Sequence, residues 1–157
     1  MAKEIERKFL VAHDAWRENI AEVHVFRQGY LNYDSLRTVR VRASEVTGYL
    51  TIKGITEGLT RDEFEYEIPL SDALALLQLC EHPAIEKKRY IVPNGPHVWE
   101  VDVFEGANDG LVVAEIELGS EDEAFIKPNW LGNEVSGDRK YSNSALSLHP
   151  YKNWSND

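Results

Sequence analysis

The sequence predicts a mainly β (α+β) protein built from antiparallel strands, either a barrel or a sandwich, with a few helices. Three observations predict this class. Apolar and polar residues alternate with a period of two along most of the chain. Gly, Pro, Asn and Asp separate the alternating stretches. Helical patterns are few and short, and no repeat or linker divides the 157 residues, so we expect a single domain over 1–157.

Eight strands are predicted in chain order. Lys3–Val11 shows the pattern well, because Glu4, Glu6 and Lys8 point to one face while Ile5 points to the other. The other seven are Val23–Leu31, Leu36–Ala43, Tyr49–Lys53, Leu59–Ile68, Ile85–Val92, His97–Phe104 and Leu111–Leu118.

Three helices are predicted between and after the strands. The first is Asp14–Glu22, with Asp14 as its cap. The second is Ser71–Glu81, which has an apolar stripe, a preceding proline and Ser71 as its cap. A shorter helix is predicted to begin near Ser142.

Composition excludes several classes of function. With 17 Lys and Arg against 27 Asp and Glu, the net charge is −10, which argues against a protein that binds duplex nucleic acid or anionic membranes. The longest apolar run, Ala73–Cys80, is too short to span a bilayer. Cys80 is the only cysteine, so a disulfide framework and a multi-cysteine zinc site are excluded. We therefore expect a cytoplasmic protein with no membrane partner.

The charged residues fall on one face of strand after strand, because they are spaced two residues apart. The acids on this face are Glu4, Glu6, Glu63, Glu65, Glu67, Glu100, Asp102, Glu115 and Glu117, and the bases are Lys8, Arg40, Arg42, Lys53, Arg61, Lys87 and Arg89.

Two structures fit these charged faces. Alternation alone favours a sandwich whose polar faces meet water. Against it, like charges adjoin within strands, Arg is frequent among the bases, and the opposite faces are strongly apolar. The alternative is a barrel whose charged face surrounds an aqueous cavity, which is costly unless counter-charges bind there. A polyphosphate with its metal ions supplies both kinds of counter-charge, but the pattern alone does not decide which face is inside.

A resemblance to a known family favours the barrel. The chain resembles the CYTH domain, the triphosphate tunnel metalloenzymes, and in particular its short bacterial single-domain type. The resemblance covers about Ala2 to Leu148, and its leading element is a Glu-x-Glu-x-Lys signature at Glu4–Lys8. Its further elements, in order, are Gln28–Leu31, Val39–Arg42, Ile52–Gly54, Arg61–Glu65, Glu86–Tyr90, Trp99–Phe104, Ala114–Leu118 and Tyr141–Asn143.

The resemblance implies an eight-stranded antiparallel β-barrel tunnel with a few flanking helices, and Mg²⁺ or Mn²⁺ as cofactor. It implies catalytic roles for Tyr30, Glu6 and Lys8, with Tyr30 as a proton acceptor whose pKa the surrounding Arg and Lys residues would lower. The implied metal ligands are Glu4, Glu6, Glu63, Glu65, Asp102, Glu115 and Glu117. The implied substrate-binding residues are Lys8, Arg40, Arg42, Lys53, Arg61, Lys87 and Arg89.

The expected activity is metal-dependent hydrolysis of a small-molecule triphosphate, with inorganic tripolyphosphate ahead of ATP and thiamine triphosphate. Two alternatives stay open at this point: an adenylate cyclase of the CYTH type, and a polyphosphate- or nucleotide-binding module without catalysis. The sequence also leaves a homodimer open.

Overall fold

The computed structural model describes residues 2–154. Nine strands account for most of the chain. They are β1 (Lys3–Val11), β2 (Glu22–Tyr30), β3 (Arg37–Ala43), β4 (Gly48–Gly54), β5 (Thr60–Ile68), β6 (Ile85–Asn94), β7 (His97–Phe104), β8 (Val112–Glu117) and β9 (Leu131–Glu134). The eight predicted strands are all present, with ends within two residues of those expected.

Eight of the strands close into an antiparallel barrel. They follow the order β5-β4-β3-β2-β6-β7-β8-β1, and β1 also pairs with β5 to complete the ring. The two halves of β1 pair with different strands. Lys3, Glu4 and Ile5 pair with β5, while the part from Glu6 onward pairs with β8. The predicted barrel is confirmed, and closure leaves no free edge in the ring.

The ninth strand, β9, was not predicted. It adds to the far end of β1, where Phe9 lies opposite Glu134 and Val11 opposite Leu131. Its four residues, Leu-Gly-Asn-Glu, are too short to show an alternating pattern, so only its pairing with β1 reveals it.

The helical segments differ from prediction in their type and caps. Residues Asp14–Asn19 form a 3₁₀ helix capped by His13, so the α-helix with an Asp14 cap was wrong. The fully buried Trp16 anchors this short segment to the core. The segment ends before Glu22, the last residue of the predicted helix, because β2 begins there. Helix α1 spans Leu70–Leu77.

The predicted cap of α1 was also wrong, because Pro69 takes the cap position and no side chain caps the helix. Beyond Leu77 the chain continues as a tighter turn, in which the Gln78 N–H donates to Ala75 and the Cys80 N–H to Leu77. The third predicted helix is confirmed as α2, Asn143–Leu148, and the Ser142 hydroxyl caps it.

The apolar faces of the strands lie on the outside of the barrel, where other segments cover them. Trp99 and Ile116, both fully buried, pack with Trp16 and Trp130 beneath the 3₁₀ segment and the chain that precedes β9. Helix α1 covers a second outer patch around Val41. Because the apolar faces point outward, the charged faces point inward, and the water-facing sandwich was wrong.

Helix α2 fills one end of the barrel. Its Leu146 is fully buried against three inward-facing side chains, Tyr30, Phe104 and Val113. Outside this plug the interior is polar. No helix within residues 2–154 is both long and apolar enough to cross a bilayer.

Candidate active site

The strand register places the charged side chains on the inner wall in laterally matched rows. Lys8 lies opposite Glu115, which lies opposite Glu100, and Arg89 lies opposite Asp102. The pairs Lys8–Glu115 and Arg89–Asp102 are of opposite sign, which lowers the cost of enclosing them, whereas Glu115 and Glu100 are neighbours of like sign.

Two arginines of β3 present unpaired N–H groups inside the barrel. Arg40 Nη2 donates to Thr51 Oγ1 at 3.2 Å and lies 3.4 Å from Glu65 Oε1. Arg42 Nη2 lies 3.5 Å from the same carboxylate oxygen, and its guanidinium stacks 4.3 Å from the Phe26 ring. In both arginines the Nε–H is buried without an acceptor. The Arg40 group, on the wall of the cavity described below, can therefore donate to an anion that enters the tunnel.

Excess positive charge in this region also shifts the pKa of Arg42. Burial, followed by the charges of Arg40 and Arg89, lowers the pKa of Arg42 to about 10. Like charges that raise the energy of the protonated form are relieved when an anion binds between them. The environment of Arg42 thus favours a bound polyanion.

The Glu4 carboxylate lies at the centre of a second group, formed by β1, β4 and β5. Lys53 Nζ lies 3.1 Å from Glu4 Oε2 and 3.3 Å from Glu63 Oε2, and Arg61 Nε lies 3.6 Å from Glu4 Oε1. Burial opposes ionisation of Glu4, but Lys53 and Arg61 outweigh it and lower the Glu4 pKa. Burial and a hydrogen bond shared with Glu4 raise the pKa of Glu63 to about 7.

Asp102 forms the most buried ion pair of the described chain. Its side chain is 0% exposed, and its Oδ2 accepts from Lys87 Nζ at 2.8 Å and from Arg89 Nη2 at 2.9 Å. Its Oδ1 accepts from Arg89 Nε at 2.8 Å. Burial opposes ionisation, but Arg89 and Lys87 hold the Asp102 pKa well below its usual range. Three strong donors already occupy this carboxylate.

Glu6 and Glu115 form a different arrangement, in which the two carboxylates on neighbouring strands β1 and β8 shift each other's pKa. Burial, then the charges of Glu115 and Glu4, raise the Glu6 pKa well above its usual value. Glu115 Oε1 is buried with no hydrogen-bond donor, and Lys8 Nζ is 3.8 Å away. An oxygen-rich, negatively charged pair with an unsatisfied oxygen suits a hard divalent cation.

Within residues 2–154, no group of three or more His, Cys, Asp or Glu side chains is gathered as closely as one metal ion requires. Glu4 pairs with Lys53 instead, at 3.1 Å. The residue types still fit a divalent cation, because carboxylate oxygens are its preferred ligands. Two of these carboxylates, Glu4 and Glu6, line the cavity described next.

A cavity of about 540 Å³ opens along one side of the barrel interior. Its wall carries seven of the predicted site residues: Glu4, Glu6, Lys8, Tyr30, Arg40, Lys53 and Arg61. The other eight share the inner face of the barrel but lie outside this lining: Arg42, Glu63, Glu65, Lys87, Arg89, Asp102, Glu115 and Glu117. Among them, Glu65 and Glu117 are exposed, whereas Lys87 and Asp102 are fully buried.

Tyr30 differs from expectation in the direction of its pKa shift. Burial raises the pKa of its hydroxyl, and the opposing charges of Arg40 and Lys8 do not overcome that effect. The expectation that surrounding cations lower this pKa was wrong, because the ring is 6% exposed and packs against the α2 plug. At neutral pH the Tyr30 hydroxyl is therefore a hydrogen-bond donor, and it accepts one from Gln28 Nε2 at 3.4 Å.

The C-terminal segment contributes site residues to which the sequence assigned no role. Asp138, Arg139, Ser142 and Asn143 all line the cavity. Lys8 Nζ also donates to the backbone oxygen of Tyr141 at 3.0 Å. The Tyr141–Asn143 motif was the only available signal, since the segment reaches the barrel from more than 120 residues beyond β1.

Comparison with known proteins finds the same architecture elsewhere. A solved structure of an inorganic triphosphatase is 35% identical, matches 92% of this chain and 97% of its own, and superposes with a TM-score of 0.66. A proposed adenylate cyclase from Bacillus halodurans, 18% identical with a TM-score of 0.57 over 78% of this chain and 84% of its own, shares the fold.

Sequence comparison is more specific. The inorganic triphosphatase of Acetivibrio thermocellus is 50% identical over 155 residues, which cover 98% of this chain and 99% of that protein. The inorganic triphosphatase of Nitrosomonas europaea is 39% identical over 92% of this chain and 97% of its own length. The family model described as the CYTH domain matches residues 2–148, which confirms the resemblance drawn from the motifs. The chain belongs to the CYTH domain family.

Proposed function

We propose that this protein hydrolyses inorganic triphosphate to pyrophosphate and orthophosphate, with a divalent metal ion, inside the barrel. Membership of the family implies divalent-metal dependence, and we propose Mg²⁺ or Mn²⁺ as the ion. The two inorganic triphosphatases that match nearly the whole chain support this substrate.

One observation carries the proposal. The wall of a single cavity holds four cationic side chains of the barrel strands, Lys8, Arg40, Lys53 and Arg61, together with carboxylates of β1, and the C-terminal segment adds Arg139. A site for a simple anion needs only the cations, and a metal site needs only the carboxylates. Both sets on one wall suit a metal–polyphosphate complex, which presents both kinds of charge.

The cationic side chains would bind the phosphoryl oxygens and stabilise the charge that develops on them during transfer. Arg40 has a free Nε–H for this purpose. Lys8 stays protonated, because Glu115 and Glu6 outweigh the effect of burial and raise its pKa. These groups are held by the barrel strands before substrate arrives, so little reorganisation accompanies binding.

Glu6, Glu115 and Glu4 are the residues that would hold the metal ion, with Glu63, Glu65 and Glu117 close by on the same face. When bound, the ion polarises phosphoryl oxygens and activates or orients the attacking water. Asp102 is not in this proposed set, because both of its oxygens already accept hydrogen bonds from Lys87 and Arg89.

Tyr30 would act as a hydrogen-bond donor to a phosphoryl oxygen, since burial keeps its hydroxyl neutral. A neutral hydroxyl beside Arg40 and Lys8 adds a donor without adding charge. This replaces the role of proton acceptor that the resemblance implied.

The test is an assay of the purified protein with Mg²⁺ or Mn²⁺. Tripolyphosphate, ATP and thiamine triphosphate are offered separately, and orthophosphate, pyrophosphate and cyclic AMP are quantified. We expect the highest kcat/KM with tripolyphosphate. Cyclic AMP as the main product from ATP would replace this proposal with a cyclase, and tight binding without turnover under either metal would replace it with a binding module.

A cytoplasmic location, a single domain over the whole chain and a homodimer stay predictions. Gel filtration with light scattering measures the last of these.

A further inference from the structure

Lys87 is the predicted substrate-binding residue that the structure places furthest from solvent. Its side chain is 1% exposed and lies outside the lining of the cavity. Its ammonium group donates to Asp102 Oδ2 at 2.8 Å and to Asn143 Oδ1 at 3.3 Å. Asn143, which is half-buried and lines that cavity, therefore connects Lys87 to it.

The contact with Lys87 fixes which way the Asn143 amide faces. A lysine ammonium has only donors, so the amide must turn its oxygen toward Lys87. The Nδ2 group, with two N–H donors, then faces away from Lys87.

The surrounding segment holds Asn143 firmly in this place. Ser142 Oγ caps α2 by accepting from the Ala145 N–H at 3.2 Å, and Leu146, one turn along, is fully buried. Ser147 Oγ and the Tyr33 hydroxyl are 2.8 Å apart, which ties α2 to the chain after β2. A residue fixed on a packed element loses little entropy when it binds a ligand.

We propose that Asn143 is a substrate-binding residue, whose Nδ2–H groups donate to a phosphoryl oxygen while Lys87 holds its amide in that orientation. This inference rests on the proposed function, because the ligand is the same triphosphate. The inference also changes the role expected for Lys87. Lys87 acts on the substrate through Asn143, as a positioning residue.

A purely structural role for Asn143 predicts different behaviour. In that case its only task is to accept the hydrogen bond from Lys87, and Asp performs the task equally well. Under our proposal Asp fails, because a carboxylate keeps the acceptor for Lys87 but has no donor and repels phosphate. The pair Asn143→Ala and Asn143→Asp therefore separates the two roles.

Steady-state kinetics with tripolyphosphate are measured for both variants. One hydrogen bond to a charged group contributes about 1.5–3 kcal/mol, so we expect kcat/KM to fall about 10- to 100-fold in Asn143→Ala. Asn143→Asp is expected to be no better than Asn143→Ala. The matched controls are Asn153→Ala and Asn153→Asp, which make the same changes at an exposed position of the same C-terminal segment, and we expect both to keep wild-type kinetics.

Two results overturn the inference: wild-type kinetics in Asn143→Ala, or recovery of activity in Asn143→Asp relative to Asn143→Ala. If the Asp variant does not fold, Asn143→Ser replaces it; its hydroxyl keeps a donor, and activity no higher than that of Asn143→Ala also overturns the inference. If the wild type turns over no triphosphate, the proposed function fails, and calorimetric binding of tripolyphosphate to the same variants still decides the part of Asn143.

Discussion

Replacement of Asp102 by Asn tests whether this carboxylate supports the barrel or the metal ion. The substitution keeps the shape of the side chain and removes its charge. It leaves the fully buried Lys87 and the mostly buried Arg89 without the anion that they share. Arg89 retains Glu100 at 3.4 Å, but Glu100 is partly exposed and does not reach Lys87.

The expected loss of stability follows from burial. Removal of one partner from a buried ion pair costs about 3–5 kcal/mol, because the remaining charge stays desolvated. For a domain of this size, 1 kcal/mol corresponds to about 2–4 °C in Tm, so we expect Asp102→Asn to lower the Tm by about 6–20 °C. The control Asp122→Asn changes an exposed carboxylate that accepts from Ser120 Oγ, and we expect less than about 0.5 kcal/mol there.

Thermal and urea denaturation measure these differences, with and without Mg²⁺. A metal ion that binds the folded state raises the Tm. If Asp102 is structural, Asp102→Asn keeps this rise. Two results would refute the structural role and return Asp102 to the metal ligands. One is a decrease in Tm of less than about 2 °C in Asp102→Asn. The other is a wild-type Tm without metal together with loss of the Mg²⁺-dependent rise.

The pH dependence provides a second check of the same reasoning. The folded-state pKa of Asp102 lies below the unfolded value of 3.8, so its stabilising contribution is complete above that value and is lost as the pH falls through the folded pKa. The difference in free energy of unfolding between wild type and Asp102→Asn should therefore shrink below about pH 4.

Three further substitutions test other parts of the molecule. Glu6→Gln should abolish metal-dependent turnover at little cost in Tm, because burial and the charges of Glu115 and Glu4 disfavour the charged form of Glu6 and raise its pKa. Retained turnover would remove Glu6 from the metal site. Arg40→Gln should raise the KM for tripolyphosphate at least tenfold (~1.4 kcal/mol). The control Arg37→Gln, on the outer face of the same strand, should leave the KM unchanged. Equal effects would contradict the inward orientation of Arg40. Gly48→Ala should lower the free energy of unfolding by about 1–3 kcal/mol in urea denaturation, because the new Cβ would lie 2.4 Å from the Cβ of Ala73 in α1. The control Gly137→Ala places its Cβ in open space. A neutral Gly48→Ala would mean that α1 shifts freely.

Much of the wall of the tunnel was predictable because alternation is a local property. A spacing of two residues puts Glu4, Glu6 and Lys8 on one side of any extended strand, wherever that strand lies. Local chemistry was also sufficient to predict the start of α2, since Ser142 caps it through a contact only three residues away. The 3₁₀ segment was harder to predict from the sequence, because its Trp16 packs against a residue distant in the chain, the Tyr90 ring at 5.0 Å.

The sequence by itself determined which residues share a face and which charges adjoin, because both depend only on the pleat of each strand. The tertiary structure decided which face lies inside, since that depends on β1 reaching β5 across more than 50 residues of chain. It also decided the sign of the Tyr30 pKa shift and the place of Asn143, because burial by α2 and contact with Lys87 arise only when the C-terminal segment closes the barrel. Neighbours in space, which no periodicity encodes, set the electrostatic environment of each group.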